Sequence, residues 1–347
     1  MIDRAPVHEL RALTGVRGIA AWFVVFYHIR LSIAGLPTVL REVFAKGYLA
    51  VDFFFLLSGF VIWLTWSDRI RSGGRASIPR FLQKRIARIW PLHLVTLGGA
   101  VALALLFRAT GRSDPQFAFP ELPLHVLLLQ NWGFTHHLAW NDPAWSISAE
   151  LGAYLLFPLL VMAVDWRRLP SAVLLALAGL LLLALHLAIG SPTLGTDIPR
   201  YGLLRCLVEF TTGSIVCALW LRWRTARAAI EAATFIAIAL IIIWIAGLPE
   251  TLVVPALFAT LLLLLALTTG RSHNPFETST IHYLGEISYA TYLSHFILWK
   301  AFKLVFVSNA NAVLPTTIAL YLAIVLAASI ALYHLVERPA QRWLNRR

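Results

Sequence analysis

Long apolar blocks occupy most of this 347-residue chain and constrain its fold more than any other feature. One of them, residues 171–189, reads SAVLLALAGLLLLALHLAI and contains no Asp, Glu, Lys or Arg. About 20 consecutive apolar residues are needed for a helix to cross the hydrocarbon core of a bilayer. Only 13% of all residues are charged, against about 25% in an average soluble domain. The chain is therefore predicted to be an integral membrane protein, and a soluble enzyme is excluded.

Blocks of this kind predict an all-α, polytopic fold with about ten transmembrane helices. We expect one transmembrane domain over residues 1–347, because the sequence shows neither an internal repeat nor an appended soluble domain. The segment 67–89 is basic, and apolar residues recur at helical spacing in its second half, which predicts a cytoplasmic amphipathic helix. The ten spans are expected near residues 15–35, 48–66, 90–107, 145–164, 171–189, 202–221, 229–247, 252–269, 284–307 and 314–335.

The formal net charge of +12 has to be interpreted together with this topology. In a soluble protein such an excess could indicate a nucleic-acid partner. In a polytopic membrane protein, cytoplasmic loops carry the excess of Lys and Arg. With ten spans and a cytoplasmic N-terminus, most of the 29 Lys and Arg residues fall on the inner side. The sequence thus predicts a plasma (inner) membrane protein with both termini cytoplasmic and no nucleic-acid partner.

Arg17 and His28 are polar residues of the first apolar block. Eleven helical steps amount to about 1100°, or three turns plus about 20°, so both side chains share one face about 16 Å apart. Histidine exchanges a proton near neutral pH and is a natural general base. The alternative is that Arg17 is a flanking positive charge and His28 a hydrogen-bonded structural histidine.

Two carboxylates also enter apolar blocks. Asp52 opens the second block, directly before three Phe residues, and should need a cation or an imidazole on a neighbouring helix; it could instead be an N-cap or an interfacial anchor. Glu150, in PAWSISAELGAYLLFP, lies about one and a half turns into the fourth helix. It could orient a histidine or bind a sugar hydroxyl, or be a helix-start carboxylate that the macrodipole favours.

The basic segment carries Lys84, Arg85 and Arg88. Arg85 and Arg88 are neighbours on one helical face, and such a pair suits a ligand rich in phosphate. The alternative is that these residues bind anionic lipid head groups. The sequence contains no metal-ligand cluster, P-loop or dinucleotide fingerprint, so no metal is expected.

This arrangement places a cationic inner end about three turns below a histidine. It fits an extended donor with a polyphosphate head and a thin arm, such as acyl-coenzyme A. A transporter with a proton-coupling His or Asp fits nearly as well. Spacing alone leaves both interpretations open.

A family resemblance rests on seven segments that stand in a fixed order: LRALTGVRGIAAWFVVFYH (10–28), GYLAVDFFFLLSGFVI (47–62), FLQKRIARIWPLHLV (81–95), QNW (130–132), PAWSISAELGAYLLFPLL (143–160), LGEISYATYLSHFIL (284–298) and VERP (336–339). With the Arg-x10-His spacing and the Arg-x-x-Arg pair, they make the sequence resemble the membrane-embedded O-acyltransferases of acyltransferase family 3.

The resemblance implies transfer of an acyl group, commonly acetyl, from cytoplasmic acyl-CoA to a hydroxyl of an acceptor. Acceptors in this family include cell-surface glycans, their lipid-linked precursors and some antibiotics. The expected partners are therefore acyl-CoA (acetyl-CoA) as donor, a hydroxylated acceptor and membrane lipids. By motif position, the expected catalytic residues are His28, Arg17, Asp52 and Glu150, and the expected donor-binding residues are Arg85, Arg88 and the adjacent Lys84.

The sequence departs from the family pattern at three positions. The fourth-helix motif often continues with another Glu and a Gln, where this chain has Leu151 and Gly152. A basic residue commonly precedes Ile-Ser-Tyr in the ninth-helix motif, where this chain has Glu286. Two rival functions remain: a transporter or flippase for a lipid-linked or small polar substrate, and a helper subunit of a polysaccharide synthase.

Overall fold

The computed structural model describes residues 10–271 and 274–346, and its regular structure is helical. The described residues form no β-strand, and an isolated bridge pairs Ile33 with Val313. The α-helices are α1 Arg11–Ile29, α2 Thr38–Ala45, α3 Ala50–Gly73, α4 Ile78–Ala109, α5 Leu122–Val126, α6 Ala144–Ala163, α7 Ser171–Ile189, α8 Ile198–Trp223, α9 Arg227–Ile245, α10 Glu250–Thr268, α11 Ser279–Glu286, α12 Ser288–Phe306, α13 Pro315–Leu332 and α14 Arg338–Asn345.

Long helices stand where the apolar blocks predict them. Eight stretches of the described chain are long and apolar enough to cross a membrane, and one of these, Thr38–Ala109, contains both α3 and α4. The helix α12 is not among them, because His295, Lys300 and Lys303 lower its hydropathy. The predicted all-α, polytopic membrane fold is confirmed.

The basic segment 67–89 differs from its prediction. Helix α3 continues to Gly73, a short 3₁₀ turn covers Gly74–Ser77, and α4 then runs without a break for 32 residues. The amphipathic helix and the third span are therefore one helix, about 48 Å long. This exceeds the roughly 30 Å of a hydrocarbon core, so the basic start of α4 extends beyond the span.

Small residues bring the central helices into backbone contact. A Cβ on Gly59 of α3 would lie 1.9 Å from the carbonyl oxygen of Phe210, and a Cβ on Gly213 of α8 would lie 1.9 Å from that of Leu56. Only glycine at both positions lets α3 and α8 pack this closely. The crossing places α3 in the middle of the largest hydrophobic core, which includes Phe60 and Trp63.

The segment between α4 and α6 folds back onto the helices. Trp140 is fully buried, and its indole N–H donates to Ala118 O (3.0 Å). The side-chain amide of Asn141 donates to Leu293 O of α12 (2.8 Å). These contacts hold the residues just before α6 against α12, and Asp142 follows directly.

Candidate functional site

A polar cavity of about 520 Å³ opens between α1, α4 and α14, and we call it the basic cavity. Helix α14 is held against α4 by a hydrogen bond from the Gln83 amide to Leu344 O (2.6 Å). Four arginines and two glutamates supply the charges, which leaves a cationic excess suited to an anionic ligand. The charged lining residues are Arg17, Arg88, Arg338, Arg342, Glu286 and Glu337.

A second cavity of about 480 Å³, the inner cavity, adjoins the first and shares Thr14, Arg17 and Arg88 with it. It lies between α1, α3, α4, α6 and α12. Most of its wall is apolar, and each of the five helices also contributes polar side chains to it. The lining includes Val51, Phe54, Leu57, Val61, Ile89, Ser58, Arg85, Ser146, Glu150, Tyr154 and Tyr292.

Arg17 stands where the two cavities meet. Its Nε donates to Ser288 Oγ (2.9 Å), and its Nη2 donates to Gly285 O (2.7 Å). Gly285 permits this arrangement, because a Cβ there would lie 1.9 Å from Thr14 O of α1. Both bonds use one edge of the guanidinium, so Arg17 is fixed in direction while it lines both cavities.

The basic residues of α4 take three different positions. Arg88 forms an ion pair with the buried carboxylate of Glu337 and lies 5.3 Å from the centre of the Tyr289 ring. Arg85 lines the inner cavity, whereas Lys84 is stacked on Trp66 and lies outside the described lining of both cavities. Arg85 and Arg88 are thus brought to the cavities together with Arg17, and Lys84 is not.

The two carboxylates expected at the site, Glu150 and Asp52, lie in different surroundings. Glu150 faces the inner cavity and accepts hydrogen bonds from Ser58 Oγ and Tyr154 OH, both 2.5 Å. Asp52 is fully buried and accepts from Arg205 Nη2 (2.6 Å) and Nε (3.2 Å). The cation that the buried position of Asp52 requires is therefore Arg205 of α8. Asp52 pairs with Arg205 and does not contact His28.

His28 lies at the other end of this region, beside His295 of α12. Its Nδ1 is 2.9 Å from Val24 O and 3.2 Å from His295 Nε2, and its Nε2 is 3.9 Å from Asp142 Oδ2. Neither Asp52 nor Glu150, which were expected to orient the imidazole, is among these partners; the side chains in contact with the two ring nitrogens are those of His295 and Asp142. The side chain of His28 is 14% exposed.

Tyr292 lines the inner cavity and also contacts His295. Its hydroxyl lies 2.8 Å from Ser146 Oγ and donates to Pro143 O (3.1 Å). The Tyr292 ring lies 6.2 Å from that of His295, which in turn contacts His28. Among the described residues, His28 lines neither cavity, and Tyr292 connects the wall of the inner cavity to the histidine pair through its contact with His295.

Three residues that contact the expected site residues were not predicted from the sequence. His295 was visible only as one polar residue among several in the ninth block. Arg205 sits in an apolar helix without a distinguishing motif, and Asp142 precedes α6 in irregular backbone where periodicity gives no signal. The described residues contain no group of three or more His, Cys, Asp or Glu that could hold a metal ion.

The family of this chain follows from its sequence profile. The profile of the acyltransferase domain of acyltransferase family 3 matches residues 10–334. The chain belongs to this family. It is an acyltransferase, and the residues quoted above for the resemblance lie almost entirely within the match.

Individual proteins similar to this chain are also acyltransferases or polysaccharide-production proteins by name. The chain is 30% identical to "Acyltransferase MdmB" of Streptomyces mycarofaciens, over 98% of this chain and 94% of that protein. It is 27% identical to "Exopolysaccharide production protein ExoZ" of Rhizobium meliloti (strain 1021), over 86% of this chain and 91% of the relative. It is 24% identical to "Peptidoglycan O-acetyltransferase OatA" of Listeria monocytogenes, over 60% of this chain but only 34% of that longer protein. No solved structure is significantly similar to the chain.

Proposed function

We propose that this family 3 acyltransferase transfers an acyl group, with acetyl as the first candidate, from cytoplasmic acyl-CoA to an acceptor hydroxyl. The acceptor class is a cell-surface glycan, its lipid-linked precursor or another hydroxylated molecule. The observation that carries the proposal is the pair of adjoining cavities, of which one is cationic and the other mostly apolar and close to a histidine pair.

The basic cavity supports a donor with a polyphosphate head. Guanidinium groups bind phosphate through paired, charge-assisted hydrogen bonds. Arg17 and Arg88 line both cavities. If they bind the phosphates of acyl-CoA, the acyl arm of that donor would extend into the inner cavity. The inner cavity volume of about 480 Å³ lies within the range of roughly 300–1,000 Å³ typical of small-molecule sites. Arg338 and Arg342 of α14 extend the predicted donor site beyond Arg85 and Arg88.

His28 is the proposed catalytic residue. In the direct route its Nε2 takes the proton of the acceptor hydroxyl, the oxygen attacks the thioester carbonyl, and the carbon–sulfur bond breaks to release the CoA thiolate. In the relay route Nε2 itself attacks the carbonyl and CoA leaves as its thiolate; the acceptor hydroxyl then attacks the acyl-imidazole, and its proton passes to the released Nε2. In both routes the acyl group must pass from the inner cavity to His28, which does not line that cavity, and Tyr292 is a lining residue in contact with His295.

The relatives support a glycan acceptor through their names, which refer to exopolysaccharide production and to peptidoglycan O-acetylation. We further propose that residues 1–347 act as a single transmembrane domain in the plasma (inner) membrane. The basic cavity and both termini would face the cytoplasm, since cytoplasmic segments carry the excess of Lys and Arg.

The test is label transfer in inverted membrane vesicles. Vesicles containing wild-type protein, His28→Ala or the control His186→Ala receive acetyl-CoA labelled on its acetyl group. His186 is a matched histidine of α7, hydrogen-bonded to Thr251 and remote from the cavities. We expect label in a glycan or lipid-linked fraction with the wild type and His186→Ala, and none with His28→Ala. Equal transfer by a folded His28→Ala protein would refute the role of His28, and absence of both transfer and CoA binding in the wild type would favour a transporter.

A further inference from the structure

His28 and His295 contact each other through ring nitrogens, with their ring planes tilted by 57°. His295 is fully buried, and its Nδ1 lies 3.1 Å from Thr291 O, one turn earlier in α12. Its Nε2 lies 3.2 Å from Nδ1 of His28, which also lies 2.9 Å from Val24 O, one turn earlier in α1. Each imidazole thus contacts one backbone carbonyl of its own helix, and the two rings contact each other.

These contacts determine where the protons are. A carbonyl oxygen only accepts hydrogen bonds, so Nδ1 of His295 must carry a hydrogen and donate it to Thr291 O. A neutral imidazole then has a lone pair at Nε2, which makes that atom of His295 an acceptor. Nδ1 of His28 faces two acceptors, Val24 O and His295 Nε2, and must be protonated as well. The opposite assignment would point a lone pair at a carbonyl oxygen in both rings.

The lone pair of His28 is therefore on Nε2, the atom 3.9 Å from Asp142 Oδ2. This is the nitrogen that both proposed routes need, either as a base or as a nucleophile. When Nε2 gains a proton, the Nδ1–H of the imidazolium still donates to His295, and charge strengthens that bond. The Asp142 carboxylate then faces the new positive charge.

We propose that His295 is the positioning residue of His28: it holds His28 in the tautomer that leaves Nε2 free for the reaction. In this respect it does the work that a buried carboxylate does in serine hydrolases. The inference rests on the proposed role of His28, and it differs from the sequence expectation that Asp52 or Glu150 orients the imidazole.

The first test compares two replacements of nearly equal size. The amide oxygen of His295→Gln can accept from Nδ1–H of His28, whereas His295→Met fills the same space without that acceptor. We expect kcat for acetyl transfer to fall in His295→Met by up to about 10⁴-fold, the loss found when the residue that sets the tautomer of the catalytic histidine in a serine hydrolase is replaced. The KM for acetyl-CoA should stay unchanged, and His295→Gln should retain activity within about threefold of the wild type. A purely structural role predicts no rescue by Gln.

The second test reads the tautomer in the wild-type protein itself. In protein labelled with ¹⁵N-histidine and reconstituted in lipid, the His28 signals are assigned from their loss in His28→Ala. The proposal predicts a protonated Nδ1 and an unprotonated Nε2 at neutral pH. A protonated Nε2 in the wild type would overturn it, whether or not any variant folds.

Failure of this inference can be told from failure of the proposed function. Wild-type kcat in His295→Met combined with an inactive His28→Ala would overturn the positioning role alone. Wild-type activity in His28→Ala would remove the proposed function of His28 and the positioning role with it.

Discussion

Asp52 and Arg205 are buried charges whose surroundings suggest a structural role. Asp52→Asn should leave the Arg205 guanidinium without the carboxylate that accepts its hydrogen bonds, at a position that is only 1% exposed. Breaking a buried pair in this way typically costs about 3–5 kcal/mol. We expect a large fall in the thermal unfolding temperature in detergent, and recovery of most of it in the double variant Asp52→Leu/Arg205→Met.

The same double variant tests what Asp52 does. Because Asp52 contacts neither His28 nor the cavities, a stable Asp52→Leu/Arg205→Met protein should still transfer acetyl groups. A stable double variant without transfer activity would instead give Asp52 the catalytic role that its motif position suggests.

Arg88 combines a structural contact with a proposed donor contact, and the two can be separated. Arg88→Gln leaves the buried Glu337 carboxylate unpaired, so both stability and donor affinity should fall. Adding Glu337→Gln removes the stranded charge and should restore the unfolding temperature. The KM for acetyl-CoA should remain raised by about tenfold, as expected for loss of one hydrogen bond to a charged group. A wild-type KM in the stable double variant would exclude Arg88 from the donor site.

The sequence predicts the relative positions of polar residues best when they belong to the same helix. The common face of Arg17 and His28 follows from helical geometry, and so does the Arg85–Arg88 pair. The partners of these residues come from distant parts of the chain: His295 is 267 positions from His28, and Arg205 is 153 positions from Asp52. No local pattern encodes such pairings, which is why a carboxylate was expected where the structure has a histidine.

At the scale of elements, the α3–α8 crossing depends on two glycines. In Gly59→Ala the new Cβ would meet Phe210 O at 1.9 Å, and neither backbone can move without displacing its helix. Such overpacking costs about 1–3 kcal/mol or more, so the unfolding temperature should drop clearly. Gly98→Ala in α4 is the control, because nothing lies within 4 Å of the added carbon; it should be neutral or stabilising. Equal effects of both substitutions would contradict the close crossing.

The segment before α6 is anchored to α12 by Asp114, whose carboxylate accepts from Lys300 Nζ (2.5 Å). Burial would raise the pKa of Asp114, but the hydrogen bonds from Lys300 and from the Gln116 N–H outweigh it, so this pKa lies below its ordinary value of 3.8. A lowered pKa stabilises the fold above the unfolded-state value, and this stability is lost as the pH falls through the folded-state value.

We therefore expect the unfolding temperature of the wild type to lose this contribution below about pH 4. Lys300→Met lacks the ion pair, so it should be less stable at pH 7, and its deficit should shrink as the pH falls towards 3. Melting curves of both proteins from pH 7 to pH 3 measure the difference. A deficit that stays constant over this range would show that the ion pair does not anchor the segment.

The apolar blocks predict the long helices well because a run of about 20 apolar residues can cross lipid only with its backbone hydrogen bonds satisfied inside a helix. Their ends are less predictable. The basic residues at the start of α4 lie outside an apolar block, but charged residues do not end a helix. The chain turns at Gly74, where φ is +56°. The basic segment was therefore expected as a connection, although most of it belongs to α3 and α4.

At the scale of the whole molecule, the cavities and the histidine pair divide the proposed reaction between the two ends of the bundle. The arginines stand at the end where α4 begins and α14 packs, and His28 lies beyond the inner cavity, near the start of α6. The proposed route therefore has the donor entering from the basic end and the acceptor hydroxyl approaching His28 from the side of Asp142. Family membership follows from the sequence, and helical spacing already predicts a cationic end about three turns from His28. The two cavities between them could be recognised only in three dimensions.

One-sided donor addition tests this account most directly. Sealed vesicles with the basic cavity facing outward or inward, and with orientation fixed by protease access to a C-terminal tag, receive labelled acetyl-CoA on the outside only. Wild-type protein should transfer label to acceptor when the basic cavity faces outward, and His28→Ala should not. Permeabilising the inward-facing vesicles should restore transfer. Transfer by intact vesicles whose basic cavity faces inward would contradict the account.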